Sequence, residues 1–190
     1  MPDSAGRLRV VVLGYVVRAG LGGHAWHHLH YAAGLAALGH DVWFIEDSDD
    51  FASCYDPVAD VTGTDPSYGL AFAAHAFERV GLPDRWAYHD AHASGWAGPA
   101  AAHAESICRS ADVALNLSGT SPLRPWLQEV PARVFIDTDP AFTQAAHIND
   151  PQARAHAAAH PVHFPFAENG GRTGGLPDDA ITWLPTRQPT

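Results

Sequence analysis

Short apolar runs rich in β-branched and aromatic residues recur along the chain, and stretches of helical period separate most of them. Residues 8–13 (Leu-Arg-Val-Val-Val-Leu), 42–45 (Val-Trp-Phe-Ile), 113–117 (Val-Ala-Leu-Asn-Leu) and 133–137 (Arg-Val-Phe-Ile-Asp) are nearly continuous in hydrophobicity. That pattern predicts parallel strands covered on both faces, since a strand with one face in water would alternate apolar and polar residues. Residues 85–89 and 162–166 fit the same role more loosely. A helix is expected from about His24 to Gly39, with Leu29, Ala32, Ala33 and Ala36 on one face and Gly34 tolerated through close approach to the sheet. A capping residue before proline marks further helix starts at Asp65-Pro66, Gly98-Pro99, Ser121-Pro122, Asp139-Pro140 and Asp150-Pro151. Sustained βα alternation of this kind predicts a three-layer α/β, Rossmann-like domain whose mainly parallel sheet has about six strands.

Residues 47–63 interrupt the alternation with an acidic, aromatic-bearing segment of neither period, which reads as a long loop above the strand ends. Beyond residue 176 no periodic element survives, and Pro177, Pro185 and Pro189 recur there. The chain therefore divides into a domain over residues 1–176 and a linker over 177–190.

The chain has 190 residues, a size that suits one domain with a real core. A formal charge of -10, no lysine and scattered arginines argue against a nucleic-acid partner, because phosphate binding needs clustered cations. Cys54 and Cys108 stand far apart, so neither a disulfide framework nor a zinc motif is indicated and a cytoplasmic location is expected. No apolar stretch approaches the ~20 residues needed to span a bilayer.

In an open parallel sheet ligands bind beyond the carboxyl ends of the strands. The residues just past those ends form the candidate site: Gly22, Gly23 and His24; Glu46 and Asp47; His89; Asn116, Ser118 and Gly119; Asp137 and Asp139; Glu168 and Asn169. His24 lies at a helix N-terminus, whose partial positive charge disfavours imidazolium and keeps the ring in the form a general base needs. His24 and His28 have the i, i+4 spacing of metal ligands, but the acidic residue of the HExxH pattern is missing, and no metal is assigned. Gly20-Leu21-Gly22-Gly23-His24-Ala25 matches a dinucleotide fingerprint, with Glu46 as a possible ribose acceptor. Its first glycine, however, comes six residues after Gly14, whereas the dinucleotide turn follows the strand directly. An NAD-type oxidoreductase is therefore the second reading, and a non-catalytic small-molecule binding module the third. Asp139 is the expected cap of the helix that follows it, which leaves Asp137 free for a functional role.

The order of several motifs resembles the amino-terminal domain of GT-B glycosyltransferases, and in particular a group of bacterial glycosyltransferase-like proteins. These motifs are Gly22-Gly23-His24, Leu38-Gly39-His40-Asp41-Val42, Glu46-Asp47-Ser48, Asn116-Leu117-Ser118-Gly119, Asp137-Thr138-Asp139-Pro140, Phe166-Ala167-Glu168-Asn169 and Pro185-Thr186-Arg187-Gln188-Pro189. The resemblance covers nearly the whole chain. It implies an acceptor-binding lobe facing a second lobe, outside this chain, that holds a nucleotide sugar as co-substrate. It further implies His24 as the base that deprotonates an acceptor hydroxyl, with Asp137 and His89 as candidate orienting groups, and no cofactor beyond the donor.

Overall fold

The computed structural model describes residues 6–168 and 177–187. Asn169 and part of the closing tail lie outside the described residues. The elements run β1 (Arg9–Leu13), α1 (Gly22–Ala37), β2 (Asp41–Asp47), β3 (Cys54–Asp56), β4 (Val61–Gly63), α2 (Ser67–Arg79), β5 (Trp86–Asp90) and β6 (Gly95–Ala97). A 3-10 turn, Ala101–His103, then leads into α3 (Ala104–Arg109), followed by β7 (Val113–Leu117), β8 (Ala132–Asp137), α4 (Phe142–Asn149), α5 (Pro151–Ala158) and β9 (Val162–Pro165).

Seven strands form the main sheet in the order β6-β5-β2-β1-β7-β8-β9. All neighbours pair in parallel except β6, which turns back antiparallel on β5 and closes that edge. Numbered along the chain, the parallel strands take the order 3-2-1-4-5-6, the doubly wound Rossmann-like arrangement. The strand order reverses between β1 and β7, so a crevice opens above their carboxyl ends.

Because successive strand residues face opposite layers, each apolar run feeds two cores. Val10 and Val12 of β1 join Phe44, Tyr88, Leu29 of α1 and Phe77 of α2 on one face. Val11 and Leu13 join Ile45, Ala87, Ile107 and Cys108 of α3 on the other. Each large apolar side chain buried in this way stabilises the fold by about 1.5–3 kcal/mol.

Three expected elements differ. No helix follows Ser121-Pro122; the segment winds through turns, and buried Leu127 and Val130 cover the sheet in its place. The acidic segment after β2 contains the β3–β4 hairpin, anchored where Tyr55 N–H donates to the Arg18 carbonyl at 2.8 Å. Gly34 is exposed, with nothing within 4 Å of where a Cβ would stand, so close packing does not explain it. Gly14, by contrast, is demanded by contact: a Cβ there would come within 2.3 Å of the His28 ring.

The described part of the tail is docked. Leu184 N–H donates to the His163 carbonyl, and Trp183 stacks on His147 while its Nε1 donates to Asp179. Cys54 and Cys108 are buried free thiols, and among the described residues no helix is long and apolar enough to cross a membrane.

Candidate functional site

The loop after β1 shapes the crevice. Residues 14–19 leave the strand and fold back over β2, where Glu46 accepts N–H bonds from Val16 (2.6 Å), Val17 (2.8 Å) and Arg18 (2.7 Å). Glu46 is 1 % exposed, so no ribose hydroxyl reaches it, and its part is to staple this loop. Burial pushes its carboxyl pKa up, against the opposing pull of Arg18 and the three amides.

Arg18, itself 6 % exposed, lays its guanidinium over the Tyr15 ring and donates through Nη2 to the Thr120 carbonyl at 3.0 Å. Tyr15, Arg18 and Ala19 thus form one wall of a crevice of about 330 Å³. The segment after β2 supplies Asp49, Phe51 and Ser53, and the turn after β7 supplies Gly119 and Thr120. Three strand ends meet there, at the switch point of the sheet. Burial raises the Tyr15 pKa, keeping it a phenol that can donate a hydrogen bond.

Two residues before the Asp49 of this crevice, the sheet register sets Asp47 of β2 opposite His89 of β5. The His89 Nδ1 lies 2.8 Å from Asp47 Oδ2. Arg124 grips both oxygens of the same carboxylate, at 3.0 and 2.9 Å, and reaches Asp50 at 2.8 Å. Asp49 N–H adds a fourth contact at 2.8 Å. Burial acts to raise the Asp47 pKa, but the bonds from His89 and Arg124 outweigh it and hold it down to about 2. An ionised carboxylate can only accept, so in the neutral imidazole it fixes the proton on His89 Nδ1 and leaves Nε2 with a lone pair. Nε2 has no hydrogen-bond partner among the described residues. Trp96 and Trp126, each 4.9 Å from the imidazole between ring centroids, wall the ring on two sides.

His24 sits differently. It follows Gly22 and Gly23 in the first turn of α1, both exposed, and its ring packs 4.2 Å from Tyr15. Its Nε2 is buried without a partner, and among the described residues no carboxylate bonds the ring. Burial, then His27 and Arg18, lower its pKa, so the ring is neutral as expected. Its carbonyl accepts from His28 Nδ1, and His28, fully enclosed, has its pKa pushed down to about 3 chiefly by burial.

The remaining candidates divide between structure and surface. Asp137 is 1 % exposed and bonded to Asp139 N–H, Thr143 Oγ1 and Gln144 Nε2. It therefore organises the start of α4, the part expected of Asp139, while the Asp139 side chain is exposed. A free catalytic role for Asp137 does not fit this enclosure. Asn116 is buried, its amide bonded to Ser121 and His160. Ser118 meets Thr138 on the surface, and Gly119 accepts from His156 at 3.0 Å. Glu168 is exposed and paired with Arg187 of the tail.

Sequence reasoning missed Tyr15, Arg18, Phe51, Thr120 and Arg124. Phe51 lies in the segment read as a loop above the strand ends and Thr120 follows the candidate Gly119, whereas Tyr15 and Arg18 lie between Gly14 and Gly20, where no site was expected, and Arg124 lies in a stretch expected to be helical, where nothing local announced its reach to Asp47. No family model matches this chain, and no curated protein matches it.

Proposed function

We propose that this chain is the acceptor-binding lobe of a GT-B glycosyltransferase, which moves a sugar from a nucleotide-sugar donor onto a hydroxyl. The observation that carries the reading is the Asp47–His89 pair with a free ring nitrogen, joined to the wall of the switch-point crevice through the Asp49 N–H bond to Asp47. The crevice offers the Tyr15 phenol, the Arg18 guanidinium, the Phe51 ring and the hydroxyls of Ser53 and Thr120, a mixture of flat apolar faces and hydrogen-bonding groups that suits a polyhydroxylated acceptor. In this reading His89 replaces His24 as the base. The acceptor oxygen attacks the anomeric carbon, the bond from that carbon to the nucleotide phosphate breaks, and the acceptor proton passes to His89 Nε2. Asp47 stabilises the imidazolium that results, and Arg124 holds Asp47 in place. The donor would be held by a second lobe beyond this chain.

Buried Glu46 and the displaced glycines disfavour a nicotinamide site, since neither a ribose acceptor nor a strand-end glycine turn is open to the cofactor. The discriminating experiment incubates the full-length protein with labelled nucleotide sugars and hydroxylated acceptors. The expected result is label in the acceptor, lost in His89→Ala. Stabilisation of the chain by NAD, without any transfer of label, would overturn the reading in favour of the oxidoreductase.

A further inference from the structure

A cavity larger than the switch-point crevice, about 450 Å³, lies between α1 and α2, on the outer side of the helical layer. Ala25, Trp26 and Leu29 of α1 form one side, and Phe72 and Ala76 of α2 the other. The volume falls within the range of small-molecule sites, ~300–1,000 Å³, and the lining is mostly apolar as such sites are. Trp26 is 45 % exposed, a large indole left at the rim where a ring-bearing ligand would cover it.

The polar groups at the groove come from one helix. His75 and Arg79 stand one turn apart on α2, four residues being the spacing of neighbours on a helix face. His75 Nδ1 bonds the Ala71 carbonyl, which can only accept, so Nδ1 carries a proton and in the neutral ring Nε2 is the acceptor. Arg79 has no ion-pair partner among the described residues, in a chain of formal charge -10. A cation without a counterion beside a concave apolar surface complements one ligand chemistry.

We infer that the α1–α2 groove is a second binding site, for a small amphiphile with an aromatic or alicyclic body and one anionic head. The body lies between Trp26, Leu29 and Phe72, and the head meets the Arg79 guanidinium. The site is distinct from the crevice above β1 and β7, and the inference stands apart from the transferase reading.

Two fluorescent probes with the same ring skeleton test it: 1-anilinonaphthalene-8-sulfonate, which is anionic, and N-phenyl-1-naphthylamine, which is neutral. Both are expected to bind the folded chain, the sulfonate more tightly. Arg79→Ala, an exposed change at the end of α2, is expected to weaken the sulfonate by about fivefold and leave the amine unchanged, in line with one partly exposed ion pair. Gly22→Phe fills the groove from a position where a Cβ meets nothing within 4 Å, and is expected to weaken both probes by about tenfold or more while the melting temperature is kept. Failure of both probes to bind, an equal effect of Arg79→Ala on both, or unaltered binding in a folded Gly22→Phe protein would each overturn the proposal.

Discussion

His24 and His89 both stand at the carboxyl edge of one sheet, yet their surroundings make opposite use of an imidazole. Around His24 the polar groups face one another: Glu46 holds the β1 loop, Tyr15 covers the ring, and Nε2 is buried. Around His89 a carboxylate takes one ring nitrogen and leaves the other unpartnered among the described residues. Being at a strand end brings a side chain near the crevice; the partner of its second nitrogen decides whether it can exchange a proton with a ligand. Changes on the α1 side should therefore register as stability, and changes on the β5 side as activity.

The largest effect should come from Glu46→Ala. It strips three amide N–H groups and Arg18 of a shared buried acceptor, and breaking such a cluster costs roughly 3–5 kcal/mol. Urea denaturation at neutral pH would show it, and a loss below about 1 kcal/mol would mean that the loop is held by other contacts.

Acidification should follow in size. Burial pushes His28 to about 3 and His160 to about 4, so both stay neutral in the fold while the unfolded chain takes up protons below pH ~6.5. Their stabilising contribution is whole above that value and falls as pH drops toward the folded pKa. Each site should lose roughly 2 kcal/mol by pH 5. Asp47 behaves otherwise: its depressed pKa gives stability that persists at pH 5 and disappears only as pH falls from ~3.9 through about 2. Denaturation curves at pH 7 and pH 5 measure the first window, and equal midpoints would contradict the burial of the two imidazoles.

Third is His89→Ala, expected to lower acceptor glycosylation by ~100-fold or more, about 2.7 kcal/mol, with little change in fold. Smallest is His24→Ala, expected to change turnover by less than about threefold, because its Nε2 is buried and no carboxylate among the described residues orients its ring. If the two variants exchanged places in that ranking, the base would be His24 after all.

Much of the scaffold was legible from the residues. The β-branched runs at residues 9–13, 113–117 and 133–137 became central strands, and Asp150 caps α5 through Gln152 and Ala153 N–H as the Asp-Pro signal implies. The same signal failed at Ser121-Pro122, where apolar Leu127 and Val130 cover the sheet from turns, an outcome that tertiary packing decides. Asp139 lost the capping role to Asp137 because the latter is buried beneath the start of α4. The site was legible as a set of strand ends but not as partners. Asp47 and His89 are 42 residues apart, and only the parallel register of β2 against β5 brings them together. Arg124 adds a third segment, whose path no local pattern encodes.

The central claim is that Asp47 fixes the proton of His89 on Nδ1 and keeps Nε2 free to accept one. Nitrogen-15 NMR of the histidine side chains, followed upward in pH until the His89 ring is neutral, reads this directly. The account predicts a protonated Nδ1 and an unprotonated Nε2 for His89, with that tautomer weakened in Asp47→Asn. A proton on Nε2 of the neutral ring in the unaltered protein would contradict it.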